Sequence, residues 1–335
     1  MSQRIEFIDL AKGICISLVV LLHVFGDLSG GVIQLMNLFR MPLYFVLSGL
    51  FFKTYDGLFP FIKKKTNKLL IPFFTTFIFI VLPTTFLLNE LEGKTTTFSN
   101  LFWGGVGKFN LGIDGAIWFL LCLFVVNIYF YLIFLLTKRN LVGITILSIV
   151  CGFIGYAMSH YGLCLPMWMD SALTAMPFFL FGYLLRCYSE VLYSSFSNKD
   201  VLLAIVSLVF LISVFMYDEW RGESVVVYGE NIFNTPFLSL YIGGVSGTYF
   251  VLMIAKYFGH MPIISYIGRY SIVVLLTHLL YLFIIRNVLY QLGVSQNGVL
   301  LNWFVFVLII LFSVPTISLC IKYLPYWFAQ KDIWK

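Results

Sequence analysis

The chain is divided into apolar runs of about twenty residues, the length at which one helix crosses the hydrocarbon of a bilayer. They fall near residues 8–26, 37–54, 69–89, 114–136, 141–159, 170–187, 201–217, 236–256, 270–287 and 300–321. Barrel strands alternate apolar and polar positions over about ten residues. These runs are continuous and about twice as long, and in lipid each must satisfy its backbone polar groups within itself, as a helix does. Of the 335 residues 61% are apolar and 11% charged, against about 25% charged in a soluble domain, so a water-soluble globule is excluded. The expected fold is all-α: one polytopic bundle of about ten spans over residues 1–335, with no separate soluble domain.

The basic residues orient this bundle. Arg4, Lys53, Lys63, Lys64, Lys65, Lys68, Lys138, Arg139, Arg186, Lys199, Lys256, Arg269, Lys322, Lys331 and Lys335 fall in one set of loops. The opposite set holds Lys94, Lys108, Arg221 and Arg286, so the bias is fifteen to four, with Lys12 and Arg40 left out as span residues. Positive residues are retained on the cytoplasmic side, which predicts both termini inside a multi-pass plasma (inner) membrane protein. The net charge of +6 is then topological and implies membrane lipid, not nucleic acid, as the neighbour. Arg4 before an apolar run imitates a signal peptide, but Asp9 and Lys12 enter the segment and no cleavage site follows, so the first helix is expected to be retained. Cys15, Cys122, Cys151, Cys187 and Cys320 lie in apolar stretches and only Cys164 in an outer loop, which predicts no disulfide. The Cys and His spacings predict no metal.

Two outer connections are longer than the rest. Residues 90–113 are rich in glycine and aromatics, including Trp103, Gly104, Gly105, Gly107 and Phe109, and 218–235 carry Asp218, Glu219, Glu223 and Glu230. They are either solvated linkers or surfaces on which a sugar stacks and bonds.

Ionisable groups within spans are expensive and mark function. Lys12 and His23 are eleven residues apart, which at about 100° and 1.5 Å per residue returns them to nearly one helix face, roughly 16 Å apart in height. That face carries a cation near the cytoplasmic mouth and a base in the outer half. Asp9 is placed to pair with Lys12, and Asp27, four residues beyond His23, to hold its imidazole. The plainer alternatives are a snorkelling lysine and an interfacial histidine. Arg40 opens the expected second span, where it either anchors to headgroups or contacts an anionic acceptor such as a lipid-linked phosphate. Lys63, Lys64, Lys65 and Lys68 precede the third span, placed to set topology or to attract a phosphate-rich cytosolic donor. There is no phosphate-binding glycine loop and no GxSxG elbow.

Ile8-Asp9-Leu10-Ala11-Lys12-Gly13-Ile14 running on to His23 resembles the opening of the acyltransferase-3 family of integral membrane acyltransferases, with its basic residue, ten intervening residues and histidine. Met41-Pro42-Leu43-Tyr44-Phe45 with Leu47-Ser48-Gly49 is similar to the second-helix signature of the branch that includes fucose 4-O-acetylases and polysaccharide O-acetyltransferases. Lys65 and Lys68 before Leu69-Leu70-Ile71-Pro72 resemble the family's basic pair, Trp118-Phe119-Leu120 its fourth-helix motif, and Tyr266-Ile267-Gly268 with Ser271 and His278 its late pattern. Lys12 and the basic pair carry lysine where arginine is common, and Arg40 stands where this branch often has histidine.

The resemblance implies transfer of an acetyl group from cytosolic acetyl-CoA, a co-substrate and not a bound cofactor, to a hydroxyl of an extracytoplasmic glycan or lipid-linked sugar of the cell envelope. Lys12, Lys65 and Lys68 would meet the donor's phosphates. His23 would act as general base or as transient acyl carrier, with Asp27 and His278 in support. Either role needs a neutral imidazole, so activity is expected to fall on acidification. Arg40, Trp118 and Asp114 are the acceptor-side candidates. Three rivals remain: a transporter or flippase for a lipid-linked glycan, the same chemistry with succinyl-CoA or another acyl donor, and a non-catalytic assembly subunit.

Overall fold

The computed structural model describes residues 5–26, 31–91, 97, 102, 115–188, 194–222, 225–295 and 298–334. It is an all-α bundle, and among the described residues ten helices are long and apolar enough to cross a membrane. These are α1 (Glu6–Phe25), α2 (Gly31–Leu50), α3 (Leu58–Phe86), α4 (Trp118–Leu136), α5 (Leu141–His160), α6 (Met169–Tyr188), α7 (Asn198–Trp220), α8 (Phe237–Phe258), α10 (Ser271–Gln291) and α11 (Val299–Tyr323). The short α9 (Pro262–Arg269) and a two-stranded hairpin, β1 (Val226–Val227) with β2 (Ile232–Phe233), were not expected from the apolar pattern. Neither is long enough to register as a hydropathy run.

Two boundaries differ from expectation in ways that move functional residues. Helix α2 starts at Gly31, not near residue 37, because Gly31–Asn37 already holds enough apolar side chains to enter lipid. Arg40 therefore sits nine residues into the helix, about 14 Å along its axis, and not at the membrane edge. Helix α3 starts at Leu58, so Lys63, Lys64, Lys65 and Lys68 lie within its first turns rather than in a preceding loop. It widens into π-turns at Thr66–Leu70 and Phe77–Val81, each ending two residues before a proline, Pro72 and Pro83. A proline removes one N–H and pushes its ring at the carbonyl four residues back, and a widened turn absorbs that conflict.

Burial sorts the helices. In the span containing α4, 67% of the most apolar window is buried, and in α7 only 17%, so α4 belongs to the centre and α7 to the lipid-facing rim. Lipid gives apolar side chains no reason to leave it, so close helix contact relies on small residues. A Cβ on Gly49 would strike the Phe179 carbonyl oxygen and one on Gly182 the Val46 carbonyl oxygen, so α2 and α6 meet backbone to backbone. Likewise Gly13 abuts the Ile264 carbonyl, and Gly268 abuts the Asp9 carbonyl and the Gly13 nitrogen, seating α9 on α1. The rim helix α7 is pinned by buried polar groups instead. Lys256 pairs with Asp200 at 3.1 Å, both side chains 4% exposed, and at the other end the Thr235 hydroxyl donates to Asp218.

Candidate active site

Four sequence-predicted residues converge at one end of the bundle. His23, two residues before the end of α1, presents its ring to that of His278 on α10, with centroids 5.2 Å apart and planes inclined by 46°. His278 is fully buried. Its Nδ1 lies 2.9 Å from both the Val274 and Leu275 carbonyl oxygens, which fixes the proton there as the shared donor. Its Nε2, left as an acceptor, has no partner among the described residues.

His23 also lines a cavity of about 490 Å³ together with Arg40, Trp118, Tyr44, Trp168 and the hairpin residues Tyr228–Glu230. The Cys15 thiol donates to the Arg40 carbonyl at 3.0 Å, so the Arg40 backbone lies level with Cys15, eight residues or about 12 Å inward of His23. Its side chain climbs back into the cavity. Trp118 at the head of α4 has its ring centroid 6.4 Å from that of Trp168 and packs under the hairpin, where a Cβ on Gly229 would stand 3.1 Å from its indole.

The hairpin itself is anchored. Asn231, which takes the left-handed backbone that asparagine tolerates, accepts from the Thr174 hydroxyl at 2.8 Å and donates to the Gly155 carbonyl at 3.0 Å. The Phe233 N–H donates to the Ser159 hydroxyl, and the Tyr156 hydroxyl to the Thr235 carbonyl. The acidic outer connection is thus in part a fixed wall of the cavity. Burial pushes the Tyr228 phenol well above its ordinary pKa, so it stays protonated in this wall.

The donor-side candidates lie at the other end. Lys12 Nζ stands 4.8 Å from the centroid of the Phe51 ring, and Lys65 Nζ 5.5 Å from that of Phe61. Phe61 in turn meets Phe52 edge to face, so the two lysines flank the turn between α2 and α3. Lys68 is engaged by the C-terminal segment, donating to the Ala329 carbonyl and pairing with Asp332 at 3.2 Å, while Lys64 pairs with Asp332 at 2.7 Å. Buried Asn67 ties the same segment down, accepting from the Ile333 and Trp334 N–H groups and donating to the Trp334 carbonyl. Trp327 stacks on Phe79, with centroids 4.8 Å apart. Residues 325–334 thus form a strap across the lysine cluster. Asp27 and Asp114 lie outside the described residues, so the expected His23–Asp27 and Asp114–acceptor contacts do too.

The strap makes a pH dependence. The hydrogen bond from Lys64, and after it Lys68, holds the Asp332 carboxyl below the usual carboxylate range. Its contribution is therefore complete above the unfolded value near 4 and is lost as pH falls through the lower folded value. Docking of the strap, read by the fluorescence of Trp327 and Trp334, is expected to hold at neutral pH and to release in acid below about pH 4. Asp332→Asn should show no such acid transition.

Asn37, Trp168 and the strap were not among the expected site features, and Tyr44 stood only as part of the second-helix signature. Asn37 and Tyr44 stand three residues before and four after Arg40, the helical spacing that puts all three on one face. That spacing is legible once Arg40 is known to lie inside the helix. The strap has no comparable signal, since Asp332 finds Lys64 and Lys68 across more than 260 residues.

Among known families, one described as an acyltransferase domain matches residues 5–321. No curated protein and no solved structure matches the chain.

Proposed function

Since the chain belongs to the acyltransferase-3 family of acyltransferase domains, which spans nearly all of it, we propose that it is a membrane O-acyltransferase. It carries an acetyl group from acetyl-CoA on the lysine-rich side to a hydroxyl of a glycan or lipid-linked sugar on the opposite side of the plasma membrane. The observation that carries this reading is the position of His23. Its imidazole lies on the wall of a sugar-sized cavity at one end of α1, while Lys12 stands at the other end of the same helix.

In this reading Lys12, Lys65 and Lys68 attract the donor's phosphates, and the pantetheine arm extends the thioester along α1 towards His23. The acceptor hydroxyl lies in the cavity against Trp118 and Trp168, whose faces suit a sugar ring. His23 takes the hydroxyl proton as the oxygen attacks the thioester carbonyl, and the carbonyl π pair moves onto its oxygen. Collapse of that intermediate breaks the carbon–sulfur bond, and the CoA thiolate recovers the proton from His23. The products are the acyl ester and CoA. The bare Nε2 of His278 can accept a hydrogen bond from the far N–H of His23, which would turn the basic nitrogen to the acceptor. His278 is therefore a positioning residue in this scheme. Bringing donor and hydroxyl together supplies part of the rate by proximity. The likeness of Met41–Phe45 to the fucose 4-O-acetylase branch favours a sugar acceptor.

Detergent-purified protein given acetyl-CoA and cell-envelope glycan should release CoA thiol in step with acylation of the glycan. Acetyl-CoA left intact while glycan crosses a reconstituted bilayer would instead identify a flippase. Competition by succinyl-CoA and other acyl-CoAs fixes the donor.

A further inference from the structure

Among the described residues the cavity holds one cation, Arg40, which shares its wall with the hairpin carboxylate Glu230. Arg40 is deeply embedded, and its Nε and Nη1 are buried without a hydrogen-bond partner among the described residues. The hydrogen bond from the Cys15 thiol is made to its backbone carbonyl, not to the guanidinium. A buried donor without an acceptor is costly, and a guanidinium shaped to hold carboxylate or phosphate oxygens is the group most readily satisfied by an anion entering the cavity. The side-chain oxygen of Asn37, one turn outward on the same face of α2, is also buried without a partner among the described residues and can accept from a sugar hydroxyl. Trp118 and Trp168 add a stacking wall. The combination is a cation at the floor, a hydroxyl acceptor one turn above it and two indoles at the side.

The geometry points to an acceptor sugar that carries its own anionic group, a carboxylate or a phosphate, which Arg40 holds while Asn37 takes a neighbouring hydroxyl. This deepens the acyl-transfer reading, because it names the chemical class of the acceptor bound beside His23. Its site is distinct from the lysines at the other end of the bundle, so the donor's phosphates do not compete for it. The Arg40 backbone lies inward of His23, so an anionic group held by its side chain would leave the hydroxyl to be acylated nearer the ring.

The full-length protein in detergent is titrated with glucose, glucuronate and glucose 1-phosphate, without any acyl-CoA. At least one anionic sugar should bind about tenfold or more tightly than glucose, the margin of a charge-assisted hydrogen bond. The stronger of the two identifies the carboxylate or the phosphate. Arg40→Gln should abolish that preference while leaving the weak glucose affinity in place, and Arg40→Lys, which keeps the charge, should retain part of it. Thermal melts of both variants show whether the bundle is intact. Equal binding of the three sugars by the wild type, or a preference that survives in Arg40→Gln, would overturn the assignment. So would an Arg40→Gln protein that binds anionic sugars normally but has lost turnover, which would place the guanidinium on the thioester oxygen. Because the titration contains no donor, a protein that binds anionic sugars and yet transfers no acyl group would keep this assignment and lose only the acyltransferase reading.

Discussion

Replacing His23 with alanine is expected to lower acyl transfer by about 10²- to 10⁴-fold, the usual worth of a positioned general base, with the amount of folded protein unchanged. The ring is half-buried on the wall of an existing cavity and meets another imidazole, so removing it enlarges that cavity rather than opening a sealed void in the bundle. The effect should fall on kcat with little change in the affinity for donor, whose phosphates are assigned to the far end of α1. His23 must be neutral to take a proton, so wild-type activity is expected to drop as pH falls through its pKa, and the residual activity of the alanine variant should lack that limb. A variant that keeps wild-type turnover would remove His23 from the chemistry.

The second large effect is structural. Gly268→Val should cost about 1–3 kcal/mol or more, the range for overpacking a close contact. The new Cβ would meet the Asp9 carbonyl and the Gly13 backbone, atoms that have no rotamer to change. Helix α9 would be forced off α1, the helix that carries both Lys12 and His23. The expected readout is a lower melting temperature and less monodisperse protein after extraction, together with loss of transfer. Gly259→Ala is the contrasting case: φ of +66° strains any side chain, but nothing stands within 4 Å of the added carbon. About 1 kcal/mol is expected there.

The ten crossings were legible because lipid imposes a single rule, that an apolar run of sufficient length must close its own hydrogen bonds. That rule sets length and not contacts. It misplaced the start of α2 because Gly31–Asn37 is only moderately apolar, and this turned a mid-helix Arg40 into an apparent headgroup anchor. It also missed α9, whose eight residues are too few to cross and whose value lies in Gly268 meeting Gly13. The helical periodicity of α1 did carry information, since eleven residues return Lys12 and His23 to one side, and both meet features of the α2 side: Phe51 for the first, the Arg40 cavity for the second. The family resemblance put His278 in support of His23, but the contact of their rings was beyond spacing alone, because 255 residues separate them and only the packing of α1 against α10 decides which face of each meets the other. The strap escaped for the same reason, a polar contact made at long range by residues of ordinary composition. Short-range chemistry on one helix can be read from spacing, and chemistry shared between helices cannot.

His23 is the centre of the proposed reaction: its imidazole takes the proton of a sugar hydroxyl as that hydroxyl accepts the acyl group from CoA. Mass spectrometry of surface glycans tests that reaction most directly, comparing cells that carry this chain, cells that lack it and cells that carry His23→Ala. An acetyl-sized mass increment on a sugar residue is expected in the first alone. The same increment in the His23→Ala cells, or identical glycans in all three, would contradict the account.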